Sequence, residues 1–160
     1  MNKVALKQAI ETELYKILDV AMSATQRAIE SATDEETVPE HKYDTLALEA
    51  AYLAHGQAQR VAECEQDIAR FKELKFREFE QDAPAALSAL VELIDDSDHS
   101  HWFFLSPVAG GTKVDFSGLT ITLLTPQAPL AKLVIGKLAG DEIELSVGEQ
   151  SLTYFIEQVI

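Results

Sequence analysis

The sequence contains little cysteine and little positive charge. Its one cysteine, Cys64, excludes an internal disulfide and a zinc site built from cysteines. The chain has 27 Asp and Glu against 13 Lys and Arg, which gives a formal net charge of −14 at pH 7. So acidic a surface repels phosphate backbones and anionic membranes. We therefore expect no direct sequence-specific binding to nucleic acid, and we expect a partner with a basic surface.

Long apolar segments are also absent from the sequence. No stretch of 18 apolar residues could span a membrane, and no N-terminal apolar run resembles a signal peptide. We therefore expect a cytoplasmic protein without a membrane partner. The length of 160 residues and the 47% hydrophobic content are sufficient for one ordinary domain or two small ones.

Glycine and proline are scarce in the first half of the chain. Six of the seven glycines and four of the five prolines follow residue 81. Because these residues mark turns and interrupt helices, the sequence predicts a helical first half and a turn-rich second half. We place the domain boundary between them, with a coiled-coil stalk at 1–80 and a second domain at 81–160.

Two long helices are predicted in the first half. The first runs from about Lys3 to Ala32 and the second from about Pro39 to Phe76, with Thr37 and Glu40 forming a capping box. Apolar or small residues recur in steps of three and four, which indicates a coiled-coil seam. The short connection predicts an antiparallel hairpin. The seam residues are Ile10, Leu14, Ile17, Ala21, Ala24 and Ala28 in the first helix, and Leu46, Ala50, Leu53, Gln57, Val61, Cys64, Ile68 and Phe71 in the second.

The second half has the pattern of a small sheet domain. A short helix is predicted over Gln127–Ile135, because Pro129 suits its first turn and Gly136 suits its end. Together these elements predict an antiparallel α+β domain. The five predicted strands are Ala89–Ile94, His101–Leu105, Leu119–Leu124, Glu142–Val147 and Leu152–Ile160.

The run from Thr125 to Glu142 resembles the signature of the GreA/GreB transcript-cleavage factors. Their C-terminal domain carries a pattern like S-P-[IL]-x-x-x-[IL]-[IL]-G-K-x-x-G-D, and Ala128 stands here at the serine position. The resemblance implies an FKBP-like C-terminal domain preceded by an antiparallel coiled coil with an acidic tip. The matching residues are Pro129, Leu130, Val134, Ile135, Gly136, Lys137, Gly140 and Asp141.

The acidic tip falls at about residues 33–44, between the two predicted helices. Aligned on Tyr43, the first tip acid of the family falls on Glu36, and the second falls on Pro39, next to Glu40. The resemblance assigns Glu36 and Glu40 to catalysis and to transient Mg²⁺ binding at the polymerase site. Further candidates are Asp34 and Glu35 for the same role, and Tyr43, Asp44, Lys132 and Lys137 for binding the partner.

The resemblance implies a regulator of bacterial RNA polymerase. Its coiled coil would enter the secondary channel, to modulate elongation or to stimulate transcript cleavage in backtracked complexes. Two-metal hydrolysis of a phosphodiester needs a second Mg²⁺ and an oriented water, and tip carboxylates can recruit that ion. The factor would then be an accessory to the polymerase's own cleavage and not an enzyme. It would hold no cofactor stably.

Other functions fit parts of the sequence. The acidic stretch can be a solvated turn in which Glu40 completes a helix cap. A coiled-coil interaction module without a polymerase role, including a homodimeric one, is the main alternative, and the oligomeric state stays open. A sheet of FKBP type also raises prolyl isomerase activity, although a fold alone does not carry a function.

A few remaining side chains have reactive or ligand-binding chemistry. His99 and His101 lie in an acidic loop that can form either a solvated turn or an adventitious metal site, and we favour the turn. Cys64 falls on the seam and is expected in the core. The aromatic residues of 102–104 are expected in the core of the sheet rather than in a ligand pocket.

Overall fold

The computed structural model describes residues 2–33, 45–80 and 82–160. These residues form an α+β fold with three helices and six strands. No helix within these ranges is long and apolar enough to cross a membrane. The elements are α1 (Lys3–Thr33), α2 (Thr45–Glu73), β1 (Leu90–Asp95), β2 (Ser100–Leu105), β3 (Lys113–Phe116), β4 (Leu119–Leu124), α3 (Pro129–Val134), β5 (Glu142–Val147) and β6 (Gln150–Val159).

The chain packs as two compact units. One comprises Met1–Glu11 with Arg70–Ile160, and the other is Thr12–Ala69. The first residues of α1, up to Glu11, and the last residues of α2, from Arg70, therefore belong to the same unit as the sheet. The predicted domain boundary at residue 80 stays a prediction.

The unit Thr12–Ala69 is a helical hairpin with the predicted seam. The small side chains of Ala21 and Ala28 are buried on α1, and Cys64 is buried on α2. Burial of these positions confirms the spacing of three and four residues that the sequence shows. It also confirms that the cysteine is a core residue.

One seam position in α2 was wrongly predicted. Leu53 is 55% exposed, whereas Ala54 is partly buried. Counting back from Val61 in steps of four and three gives Gln57, Ala54 and Ala50, so the heptad register places Ala54 on the seam. The side chain of Leu46 and the predicted start of this helix at Pro39 lie outside the described residues.

Helix α2 ends at Glu73, before the predicted end at Phe76. The backbone N–H of Leu74 donates to the Phe71 carbonyl oxygen at 3.0 Å, a tightened last turn. The Phe76 ring then stacks on Phe104 of β2 with centroids 5.1 Å apart. Phe71 lies beside both rings and is fully buried, so the segment after α2 is held by aromatic packing on the sheet.

The sheet is mixed, with strand order β3-β4-β2-β1-β6-β5. Strands β2 and β4 pair in parallel, from Trp102 opposite Ile121 to Leu105 opposite Leu124, so the expectation of an antiparallel sheet was wrong at this pair. The sequence analysis also missed β3, because this strand has only four residues, Lys113–Phe116, before the turn at Ser117 and Gly118. The other described pairs are antiparallel.

A hydrophobic core lies between α3 and one face of the sheet. Ala131 and Val134 of α3 are buried in the same cluster as strand residues. Because α3 is packed on this face of the sheet, the position of the segment that connects α3 to β5 is also determined. The strand residues of the cluster are Val91, Leu93, Leu105, Ile143, Ile156 and Val159.

Two lysines join the first turns of α1 to the segment after α2. The Lys3 ammonium donates to the carbonyl oxygen of Arg77 and lies 3.7 Å from the Glu78 carboxylate. Burial lowers the pKa of Lys3, an effect that the Glu78 carboxylate opposes. The Lys7 ammonium donates to the Lys72 carbonyl oxygen at 3.3 Å. These bonds satisfy carbonyl groups at and beyond the end of α2.

Candidate partner-docking site

Most of the predicted site residues lie outside the described part of the chain. Their roles in catalysis, Mg²⁺ binding and partner binding therefore stay predictions. These residues are Asp34, Glu35, Glu36, Glu40, Tyr43 and Asp44. The two that the structure describes, Lys132 and Lys137, both lie in the run that carries the GreA/GreB resemblance.

Helix α3 lies within the predicted range, and its N-terminus lacks a side-chain cap. Pro129 occupies its first turn, and Ala128 stands at the N-cap with extended backbone angles. In the described chain the Ala128 side chain makes no cap hydrogen bond, because a methyl group cannot accept one. Lys132 lies on α3 between the buried Ala131 and Val134 and is itself exposed.

The turn after α3 depends on Gly136. Its φ of 85° lies in the left-handed region that favours glycine. The Gly136 N–H donates to the Ala85 carbonyl oxygen, and the Ala85 N–H donates to the Lys137 carbonyl oxygen, both at 2.8 Å. This reciprocal pair holds the backbone of Lys137 against the segment that precedes β1.

Asp141 closes the second turn of the run. Its carboxylate accepts the Leu138 N–H at 2.9 Å, and its carbonyl accepts the Ile156 N–H at the same distance. Gly140 has a φ of 94° and donates its N–H to the Ile156 carbonyl oxygen at 2.8 Å. Gly136, Gly140 and Asp141 of the signature thus have structural roles in building two consecutive turns.

The side chains that these turns leave at the surface form a candidate docking patch of Lys132, Ile135, Lys137 and Leu138. Ile135 is 38% exposed and Leu138 is 39% exposed, and both lysines are exposed. Apolar side chains next to ammonium groups suit a protein partner that offers apolar contacts and carboxylates. The sequence makes exposed apolar positions of the 127–136 helix and its adjacent loops docking candidates but cannot single out Ile135 and Leu138, because exposed and buried apolar residues look alike in a sequence.

The histidine loop between β1 and β2 is built around Asp95. Its Oδ1 accepts the backbone N–H groups of Ser97 and His99, and its Oδ2 lies 2.9 Å from His101 Nε2. These bonds, that of His101 first, hold the pKa of Asp95 well below its usual range. These hydrogen bonds support the predicted turn. No cluster of three metal-ligating side chains occurs in the described ranges.

The aromatic residues of β2 divide between core and surface. Phe104 is buried, as predicted. Trp102 and Phe103 are only partly buried and line a surface groove. Phe103 also packs against the hydrophobic core, so the expectation of a core position is met in part for Phe103. Side chains alternate along the strand, which places Phe104 and Phe103 on opposite faces of the sheet.

Comparison with known proteins identifies similar structures only. No family model matches the chain, and no curated protein matches it. GreA factor homolog 1 (Gfh1) of Thermus thermophilus is 16% identical and covers 94% of each chain, with a TM-score of 0.40. Gfh1 of Thermus aquaticus is 16% identical, with 95% of this chain and 94% of that chain covered and a TM-score of 0.39.

A third structure is the transcription elongation factor GreA/GreB from Nitrosomonas europaea. It is 19% identical, covers 70% of this chain and 91% of that chain, and has a TM-score of 0.37. The structures to which this chain is similar therefore include both Gfh1 and GreA/GreB transcription factors, the group that the signature at 125–142 resembles.

Proposed function

We propose that this protein regulates bacterial RNA polymerase by inserting its helical hairpin into the secondary channel. The observation that supports this most is the construction of the signature run. Gly136, Gly140 and Asp141 form the turns that place Lys137 at the surface. The same chain carries a two-helix hairpin with an acidic segment between its helices, as the resemblance requires.

The proposal divides the function between two parts of the chain. The docking patch binds the polymerase surface through Ile135 and Leu138, with Lys132 and Lys137 opposite carboxylates of the partner. The segment 34–44 supplies negative charge at the active centre through Glu36 and Glu40. The docking patch is cationic in a chain of net charge −14, so the two parts favour different surfaces of the partner.

The chemistry at the active centre belongs to the polymerase. Mg²⁺ prefers a few carboxylates and keeps several waters, so one or two added carboxylates can hold a second ion beside the resident one. The second ion activates water and stabilises the leaving oxygen. The protein therefore needs no nucleophile and no stably bound cofactor. It acts in the cytoplasm as an accessory factor that stimulates cleavage or modulates elongation.

RNA cleavage in a backtracked elongation complex with Mg²⁺ tests the proposal. The wild-type chain is expected to change the cleavage or elongation rate, and Glu36→Ala with Glu40→Ala is expected to abolish that effect. Lys132→Glu with Lys137→Glu is expected to raise the concentration required for half of the effect. Lys75→Glu with Lys113→Glu makes the same change in charge elsewhere and is the matched control.

The outcomes distinguish the proposed role from the alternative. A slower elongation rate without faster cleavage identifies a modulator of the channel. No effect on either rate at saturating protein, together with a mass that rises with protein concentration, favours a homodimeric coiled-coil module. Turnover of a proline peptide would instead support the isomerase hypothesis.

A further inference from the structure

A groove lies on the sheet over β2, β4 and β3, within the unit that contains the sheet. Its volume is about 420 Å³, which is within the range of small-molecule sites. Strand pairing places Phe103, Thr122 and Lys113 in one row across the three strands. His101 lies two residues before Phe103 on β2 and so shares its face. The remaining lining residues are Ser100, Trp102, Gly118, Leu119 and Thr120.

The groove differs in charge from the rest of the molecule. The nine described residues that line it include one lysine and one histidine, and none of them is Asp or Glu. The whole chain has about two acidic residues for each basic one, 27 against 13. Within the described residues Lys113 has no ion-pair partner, and its side chain is exposed. The ammonium group is thus available to a ligand.

The second ionisable group of the groove is held in a fixed orientation. His101 Nε2 lies 2.9 Å from Asp95 Oδ2, and its ring packs edge-on against Tyr154 with centroids 6.0 Å apart. Asp95 is itself fixed by two backbone N–H groups. Because Nε2 faces Asp95, the other ring nitrogen is left for a ligand. An oriented imidazole costs less conformational entropy on binding than a free one.

Hydroxyl groups and the aromatic rings of Trp102 and Phe103 also line the groove. The Thr120 hydroxyl donates to Asp115 Oδ1 at 2.7 Å, which places this carboxylate at the margin of the groove. Thr122 lies in the row between Phe103 and Lys113. The partly buried Phe103 ring offers an apolar surface beside these polar groups.

We propose that this groove binds a small organic anion, whose phosphate or carboxylate group contacts Lys113 and His101 and whose apolar part packs on Phe103. A charge-assisted hydrogen bond from the Lys113 ammonium fixes the anion, and the His101 ring and the Thr122 hydroxyl add further polar contacts. The two nearest carboxylates, Asp95 and Asp115, are engaged by His101 and Thr120, and salt largely screens the more distant ones. The site is independent of the proposed polymerase role.

Amide NMR spectra of the full chain, recorded while phenyl phosphate or benzoate is added, test this proposal. Saturable shifts are expected at residues 101–103, 113 and 120–122 with at least one of the two anions. The responding anion identifies the charged group as phosphate or carboxylate. Inorganic phosphate and phenol, the two halves of phenyl phosphate, are expected to bind at least about tenfold more weakly.

Variants separate a site from nonspecific attraction. Lys113→Gln is expected to weaken binding about tenfold, because it removes one charge-assisted contact, and Lys113→Arg is expected to retain most of the affinity. Lys75→Gln removes an exposed lysine outside the groove and should leave the affinity unchanged. The proposal is overturned if neither anion gives saturable shifts, if inorganic phosphate binds as tightly as phenyl phosphate, or if Lys113→Gln binds like the wild type.

Discussion

Asp95 and His101 are joined across the β1–β2 turn, with Oδ2 of the carboxylate 2.9 Å from Nε2 of the imidazole. The same carboxylate accepts two backbone N–H groups at 2.9 Å. The turn therefore organises the end of β1 and the start of β2, and it fixes a ring that lines the groove. The stability of this turn depends on the ionised form of Asp95.

Replacement of His101 by Phe is expected to raise the pKa of Asp95 toward its ordinary value, because the bond from His101 is the largest cause of the depression. The pKa is measured from the carboxyl ¹³C shift of Asp95 as a function of pH. His55→Phe changes an exposed histidine of α2 and should leave the pKa of Asp95 unchanged. An equally low pKa in His101→Phe would show that the backbone bonds suffice.

The depressed pKa of Asp95 also predicts how stability depends on pH. A carboxyl group with a lower pKa in the folded state stabilises the fold fully above its unfolded pKa of about 3.9. This contribution is lost as the pH falls through the folded value. Asp95→Asn should therefore lower stability against urea at pH 6, and the difference from wild type should shrink below about pH 4. A difference independent of pH would contradict the assignment.

Two glycines should respond to alanine in opposite directions. Gly56 lies within α2 with open space at its Cβ position, so Gly56→Ala should stabilise the hairpin by about 1 kcal/mol. Gly136 also has open space but a φ of 85°, so Gly136→Ala should cost roughly 1–2 kcal/mol. Urea unfolding followed by helical circular dichroism and by Trp102 fluorescence measures the two effects. A loss in Gly56→Ala would contradict the helical geometry.

The uncapped start of α3 can be improved. Ala128→Ser supplies an oxygen that can accept an N–H of the first turn, and we expect a gain of about 1 kcal/mol in the free energy of unfolding. Ala139→Ser, in the exposed turn, is the control and should have little effect. Urea unfolding measured by Trp102 fluorescence checks both. No gain from Ala128→Ser would indicate that the alanine methyl group contributes packing of similar value.

Helix α1 was predictable because it depends on local features. Its described end at Thr33 is one residue beyond the prediction, and the regular spacing of small and apolar residues identified its buried face. The heptad register of α2 was also predictable from the spacing of three and four residues. The prediction nevertheless placed Leu53 on the seam instead of Ala54. The exposed Leu53 shows that register, rather than hydrophobicity, selects the seam residue.

The sheet was less predictable because strand pairing depends on distant residues. The observed bounds of β4 and β5 equal the predicted ones, because alternating apolar residues and flanking turn residues define these two strands in the sequence. The parallel pairing of β2 with β4 arises from the chain path through β3, which has only four residues and a weak local pattern. For the site, the sequence predicted the end of α3 at Gly136. The turn at Gly140 was not predicted, and the exposure of Ile135 and Leu138 depends on where α3 packs.

The binding of the full chain to bacterial RNA polymerase core enzyme tests the central claim most directly. We expect saturable one-to-one binding that is weakened about tenfold or more by Lys132→Glu with Lys137→Glu. Lys75→Glu with Lys113→Glu, the charge-matched control, should bind like the wild type. Absence of saturable binding by the wild-type chain, measured at physiological salt, would contradict the account.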